Sequence, residues 1–193
     1  HMLRLIRVLW VPILLVIWGC SPLYMTGRVS AGTFGPIEPG STFMVDRSDA
    51  PTLGERHAME LIAKEMAGRG FVEVQDKSAT ALAIVYQLSL GPGQMSINSS
   101  PNYSTGGTRV SSQTTYPRFL QIIVVDWKAS EAQQKPVILW QSEVHSQGST
   151  TDLSVLAGYL IPQAFKKFGQ SVSNEMFFEP MTQIGRASYR ERV

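Results

Sequence analysis

The chain has 193 residues, enough for one domain of ordinary size with a real core. A composition of 44% hydrophobic and 17% charged residues excludes intrinsic disorder. The formal charge of +2 belongs to the ends: without Arg4, Arg7, Arg186, Arg190 and Arg192 there remain 12 of 17 basic residues, and without Glu191 there remain 14 of 15 acids, a net of −2. With Lys166 and Lys167 as the densest basic pair of the body, the chain lacks the clustered cations that binding to nucleic-acid phosphates needs.

In chain order, Arg4 and Arg7 precede an apolar run from Val8 to Trp18, broken only by Pro12 and followed by Gly19 and Cys20. A basic start, an apolar middle and a small residue at the cut make a secretory signal. The run spans about 12 residues against the roughly 20 of a membrane-crossing helix, so a retained anchor is the weaker alternative. Ile17-Trp18-Gly19-Cys20 resembles the lipobox of bacterial lipoproteins, with Trp18 where that family usually has a small residue. The resemblance implies signal cleavage after Gly19, a diacylglycerol thioether on Cys20 and a palmitate-type acyl group on its amino terminus. Several acyl chains, at about 0.8 kcal/mol per buried methylene, would tether the protein firmly to the periplasmic face of a membrane. Ser21 in place of Asp after the cysteine implies, for a Gram-negative host, the outer membrane. Cys20 is the single cysteine, so no disulfide competes for it.

Residues 20–41, rich in Gly, Pro, Ser and Thr, read as the lipidated cysteine and a flexible tether. Residues 42–180 read as a single α+β periplasmic domain. Thr42 to Asp46 is a short strand. Thr52 and Glu55 have capping-box spacing, and Ala58, Leu61, Ile62 and Met66 recur at helical period, predicting a helix of about 17 residues stopped by Gly70. Phe71 to Gln75 alternates as a strand, and Thr80 to Leu90 is a longer one with Leu82, Ile84, Tyr86, Leu88 and Leu90 on one face. Gly91 to Thr115, dominated by Gly, Ser, Thr, Asn and Pro, reads as a long polar loop of the kind that is functional or mobile. Tyr116 to Lys128 and Pro136 to Gln147 are strong strands joined by a polar link, Ala129 to Lys135, that reads as a hairpin turn. Thr151-Asp152 caps a second helix through Phe168, and Pro162 inside it predicts a kink or a new segment. These elements predict an α+β layer: a mostly antiparallel sheet of about five strands with two helices packed on one face.

Residues 181–193 read as a non-native tail. The last ten, Ile-Gly-Arg-Ala-Ser-Tyr-Arg-Glu-Arg-Val, resemble a translated sequencing adapter, with Tyr189 where its usual translation has Cys.

Five features together resemble the periplasmic lipoprotein family catalogued as domain of unknown function 4136. They are Met66-Ala67-Gly68-Arg69-Gly70-Phe71, Leu82-Ala83-Ile84-Val85-Tyr86, the run Ile122 to Asp126, Leu139-Trp140-Gln141-Ser142 before Gly148, and a closing helix ending near Phe168. The family usually has Arg and Gly where this chain has Gln141 and Ser142. The resemblance spans about residues 42 to 169 and implies a fold and a periplasmic location without an activity.

Chemistry-bearing residues are few. Apart from His1 there are His57, on the first predicted helix beside Glu60, and His145, which shares a strand face with Glu143. Two ligands fall short of a zinc site, so no metal or other cofactor is expected. Asp126 beside Trp127 is the kind of Asp that opens a turn by binding its own backbone. Neither a nucleophile elbow nor a phosphate-cradling glycine loop is present. The expectation is a lipid-anchored binding or envelope-assembly module rather than an enzyme, engaging an envelope protein or lipid through a sheet edge or the segment Gly91 to Thr115. The alternatives are a lipid or lipopolysaccharide carrier and an envelope hydrolase with converging acids and His145.

Overall fold

A computed structural model of the protein describes residues 24–46, 50–102 and 106–181. Gly19, Cys20 and nearly all of the tail therefore lie outside the described residues. In order, the elements are β1 (Tyr24–Thr33), β2 (Thr42–Val45), α1 (Leu53–Ala67), β3 (Val72–Glu73), a 3-10 turn (Lys77–Ala79), β4 (Leu82–Leu90), β5 (Gln94–Asn102), β6 (Gly107–Asp126), α2 (Trp127–Gln133), β7 (Ile138–Gly148), α3 (Leu153–Phe165) and β8 (Val172–Pro180). Residues Met25–Phe178 form one compact unit.

The α+β class holds, but five antiparallel strands and two helices do not. The described residues form an eight-stranded sheet, ordered β3-β2-β4-β6-β7-β1-β8 with β5 paired to β6, and three helices. The sheet is mixed because β2 runs parallel to both β3 and β4. Parallel neighbours need a long crossover, and α1 supplies it between β2 and β3. The central ladder β4-β6-β7-β1 is antiparallel throughout.

Four stretches depart from expectation. Tyr24–Thr33, inside the predicted tether, is a ten-residue strand that pairs with β7 from Gly27↔Ser146 to Thr33↔Trp140. The predicted loop from Gly91 to Thr115 is β5 and the first half of β6. The predicted hairpin turn is helix α2, in which the Asp126 carboxylate caps the helix by accepting from Ala129 N at 2.9 Å. Beyond the last helix comes β8, which lays the buried Phe177 against Gly27.

Other expectations hold. Thr52 and Glu55 make the capping box: the Thr52 hydroxyl accepts from Glu55 N at 3.2 Å, and the Glu55 carboxylate from Thr52 N at 2.6 Å. The strand expected over Thr80 to Leu90 is β4, which lies between β2 and β6 in the sheet. Against the expectation of a new segment at Pro162, α3 runs through that residue as one helix from Leu153 to Phe165. The carbonyl that Pro162 leaves without a helical donor is that of Gly158, an exposed residue that water can reach.

The core lies between one sheet face and the pair α1 and α3. Ala58, Ile62 and Met66 of α1, and Leu156, Leu160 and Ile161 of α3, are fully buried, as are Leu120, Ile122, Val124, Trp140 and Val144 beneath them. Each large side chain contributes roughly 1.5–3 kcal/mol by leaving water. Where α1 and α3 end, Trp140, Phe165 and Phe168 stack with ring centroids 5.0–5.8 Å apart. The Trp140 indole N–H donates to the Lys167 carbonyl at 3.2 Å.

Candidate functional site

Two surfaces carry exposed groups with something to offer a partner. The first is the two-stranded ribbon that β5 and β6 form, registered from Gln94↔Thr115 to Asn102↔Gly107. Alternation places Met95 and Ile97 on the same face as Val110, Ser112 and Thr114. Met95, Ile97 and Val110 are 64–69% exposed. The opposite face carries Gln94, Ser96, Asn98, Ser100, Arg109, Ser111 and Gln113. Arg109 is the one charged residue among the ribbon's described residues. The ribbon is thus amphipathic, yet its described side chains from Gln94 to Pro101 and from Gly107 to Gln113 are all exposed. Its apolar face has the same parity along β6 as the buried Leu120, Ile122 and Val124, so it continues the side of the sheet that the helices cover.

The second surface is the sheet face away from the helices. There Glu143 is the hub of a polar row. One of its oxygens, Oε1, accepts from Gln121 Nε2 at 3.1 Å and from Gln141 Nε2 at 2.9 Å. The other lies 3.9 Å from His145 Nε2, and the His145 ring packs at 5.0 Å against Phe119. The sequence placed Glu143 and His145 together correctly, but Gln121 joins them only through the β6–β7 register. Among the described residues, no group of three His, Cys, Asp or Glu is arranged to hold a metal.

His57 sits on exposed helix surface, 4.0 Å from Glu60. A cleft of about 350 Å³ opens between the start of α1 and β4, lined among others by Asp46, Glu55, Tyr86 and Leu153. The Tyr86 hydroxyl donates to the Glu55 carbonyl at 3.1 Å. Burial, and secondarily the Glu55 charge, push the Tyr86 phenol above its ordinary pKa. Backbone and side-chain hydrogen bonds to Thr52 hold the Glu55 carboxyl below the usual range. Glu55 is therefore engaged as a cap, and His145 does not line the cleft. The converging acids and histidine expected of a hydrolase are not assembled there.

No family model and no curated protein matches the chain. Several solved structures show partial likeness, among them the following three. A PDZ domain protein from Parabacteroides distasonis is 13% identical, with a TM-score of 0.49 over 80% of this chain and 38% of that one. This chain thus spans well under half of that protein. A PelC dodecamer from Paraburkholderia phytofirmans is 12% identical, with a TM-score of 0.45 over 76% of this chain and 99% of that one. A DUF4136 family protein from Bacteroides thetaiotaomicron is 17% identical, with a TM-score of 0.45 over 74% and 95%. This last structure belongs to the family that the sequence resembles. At these identities and scores no residue's role carries over.

Proposed function

We propose that the chain is a bacterial lipoprotein, held by lipid on Cys20 at the periplasmic face of the outer membrane, whose domain binds an envelope component through the β5–β6 ribbon. One observation carries the binding role: a long, nearly uncharged ribbon that sorts Met95, Ile97 and Val110 onto one face and leaves them in water. A two-stranded hairpin is marginal alone, and an exposed apolar strand edge invites aggregation. Such a feature is tolerable where a partner covers it. The lipobox-like Ile17-Trp18-Gly19-Cys20 supports the address, because a tethered domain meets its partners at the membrane surface.

The test uses the full chain in a Gram-negative host, with a photo-crosslinking residue in place of Ile97. The expected result is a triacylated species starting at Cys20 in the membrane fraction, and discrete crosslinked envelope adducts that vanish when Met95 and Val110 are changed to Ser. Cys20→Ala is expected to leave the signal uncleaved. An unlipidated soluble product refutes the anchor. Adducts that persist unchanged in the Ser variants refute the ribbon's role.

A further inference from the structure

Along β6 the even-numbered side chains face the helices, and Leu120, Ile122 and Val124 are fully buried there. The series continues to Arg118, which is only 5% exposed. Its cross-strand neighbours are Leu90 on β4 and Ser146 on β7. Among the described residues the guanidinium makes one hydrogen bond, from Nη2 to the Thr150 carbonyl at 3.1 Å. Among the described residues its Nε is buried without a partner, and so is the Ser146 hydroxyl. Arg118 forms no ion pair among the described residues.

Gly148 completes the arrangement. A Cβ at that position would lie 2.6 Å from Nη2 and 2.8 Å from Nη1, so the absent side chain makes room for the guanidinium plane. The link that carries Thr150 is exposed at Ser149 and Thr151, which places the group one loop's thickness from solvent. Burial lowers the pKa of Arg118, but a guanidinium still remains charged at any physiological pH.

We propose that Arg118 and Ser146 form a binding site for a small oxyanion, a phosphate or carboxylate group, at the end of the sheet where β7 leads into α3. Arg118 has donors only, so a cation or an apolar group cannot serve it. An oxyanion neutralises the buried charge and offers separate lone pairs to Nε–H and to the Ser146 O–H. Buried polar atoms of a native protein are nearly always paired with protein, water or an ion. Here the two orphans stand on adjacent strands, and one of them belongs to a cation that has no ion pair among the described residues. The site is independent of the ribbon and of the lipid anchor.

The experiment is a calorimetric titration of the full chain with inorganic phosphate and, separately, acetate in chloride-matched buffer. It is repeated on Arg118→Met and Ser146→Ala, and the Arg118 Nε–H resonance is followed by NMR in the wild type. The expected result is saturable binding of at least one anion, a moving Nε–H resonance, no binding by Arg118→Met and about tenfold weaker binding by Ser146→Ala. Competition by phosphatidic acid vesicles would assign the anion to a lipid headgroup, and its absence to a soluble ion; either supports the site. No saturable binding, a stationary Nε–H resonance, or equal binding by Arg118→Met would overturn it. The wild-type resonance decides the matter even if Arg118→Met fails to fold.

Discussion

Arg69 joins the ends of the two long helices, and replacing it tests that joint. Its Nη1 donates to the Glu65 carbonyl at 2.7 Å and pairs with the Glu65 carboxylate at 2.6 Å, both local to α1. Its Nη2 reaches across to the Phe165 carbonyl at the end of α3, at 2.8 Å. The guanidinium also lies 5.1 Å from the ring centroid of Phe165 and 5.8 Å from that of Phe168. Met at this position keeps much of the aliphatic stem and removes the rest. A charged donor on a helix-terminal carbonyl contributes about 1.5 kcal/mol, at the low end of its class because the side chain is 31% exposed. The ring contacts add about 0.5–1 kcal/mol, and the Glu65 pair about 0.3–0.5 kcal/mol. Arg69→Met should therefore destabilise by about 2–3 kcal/mol, a fall in Tm of roughly 4–12 °C for a domain of this size. Arg69→Lys, which keeps charge but not the planar fork, should lose about half as much. Urea unfolding at constant m is the assay. A loss below about 0.5 kcal/mol for Met, or lysine as stable as arginine, would show that the joint contributes little.

Three further outcomes are expected. Trp140→Ala removes a fully buried ring and its hydrogen bond to Lys167, and should cost about 3–5 kcal/mol in the same urea assay. Because the folded-state pKa of Glu55 is depressed below 4.5, its contribution is fully present above that value and is lost as pH falls through the lower folded value; Glu55→Gln should flatten acid unfolding in this window, seen as a smaller drop in Tm between neutral and acidic buffer. Ile97→Ser and Val110→Ser should each leave stability within about 0.5 kcal/mol of the wild type, since these side chains are already in water; a larger loss by urea unfolding would mean that the stripe packs within the fold.

What the sequence revealed depended on how local each determinant is. The Thr52–Glu55 box is complete within four residues, and β4 carries its own alternation, so both were readable. β1 was not, because only Met25 and Val29 of its ten residues are buried, and they stand four apart among Gly, Ser and Thr. Gly27 is small where Phe177, some 150 residues later, lies over it, and in one dimension this looks like a linker. β8 is concealed in the same way, with Phe177 as its one buried residue. At Trp127–Gln133 an Asp that caps a helix and an Asp that starts a turn make the same backbone bond, and the short link favoured the wrong one. The ribbon escaped because alternation is loud only when one face is buried, and here both are wet. Of the polar sites, Glu143 and His145 were visible as i, i+2 partners. The hub with Gln121 required the register between strands. Arg118 had a signal that went unused: a charge at the core parity of a strand whose next members are Leu120, Ile122 and Val124.

The ribbon has no core of its own, so its geometry must come from elsewhere, and β6 supplies it. This strand runs unbroken from Gly107 to Asp126, and its second half is held between β4 and β7. The change of partner occurs at Pro117. In an antiparallel strand a residue's N–H and C=O point to the same side, and the Pro117 carbonyl accepts from Gly91 N at 2.8 Å. The missing N–H of Pro117 therefore falls on the side where β4 has just ended and β5 has not begun, the one place along β6 where a donor is least needed. Up to this junction β6 keeps one register with β7, from Tyr116↔Gly148 to Val124↔Trp140, while on its other side the pairing passes from Leu90↔Arg118 to Gln94↔Thr115 across the Gly91–Gly93 link. The exposed half thus inherits its twist and facing from the clamped half. An arm held in this way meets a partner with its apolar stripe already sorted to one face, so docking forfeits less conformational entropy than ordering a loop of the same composition would.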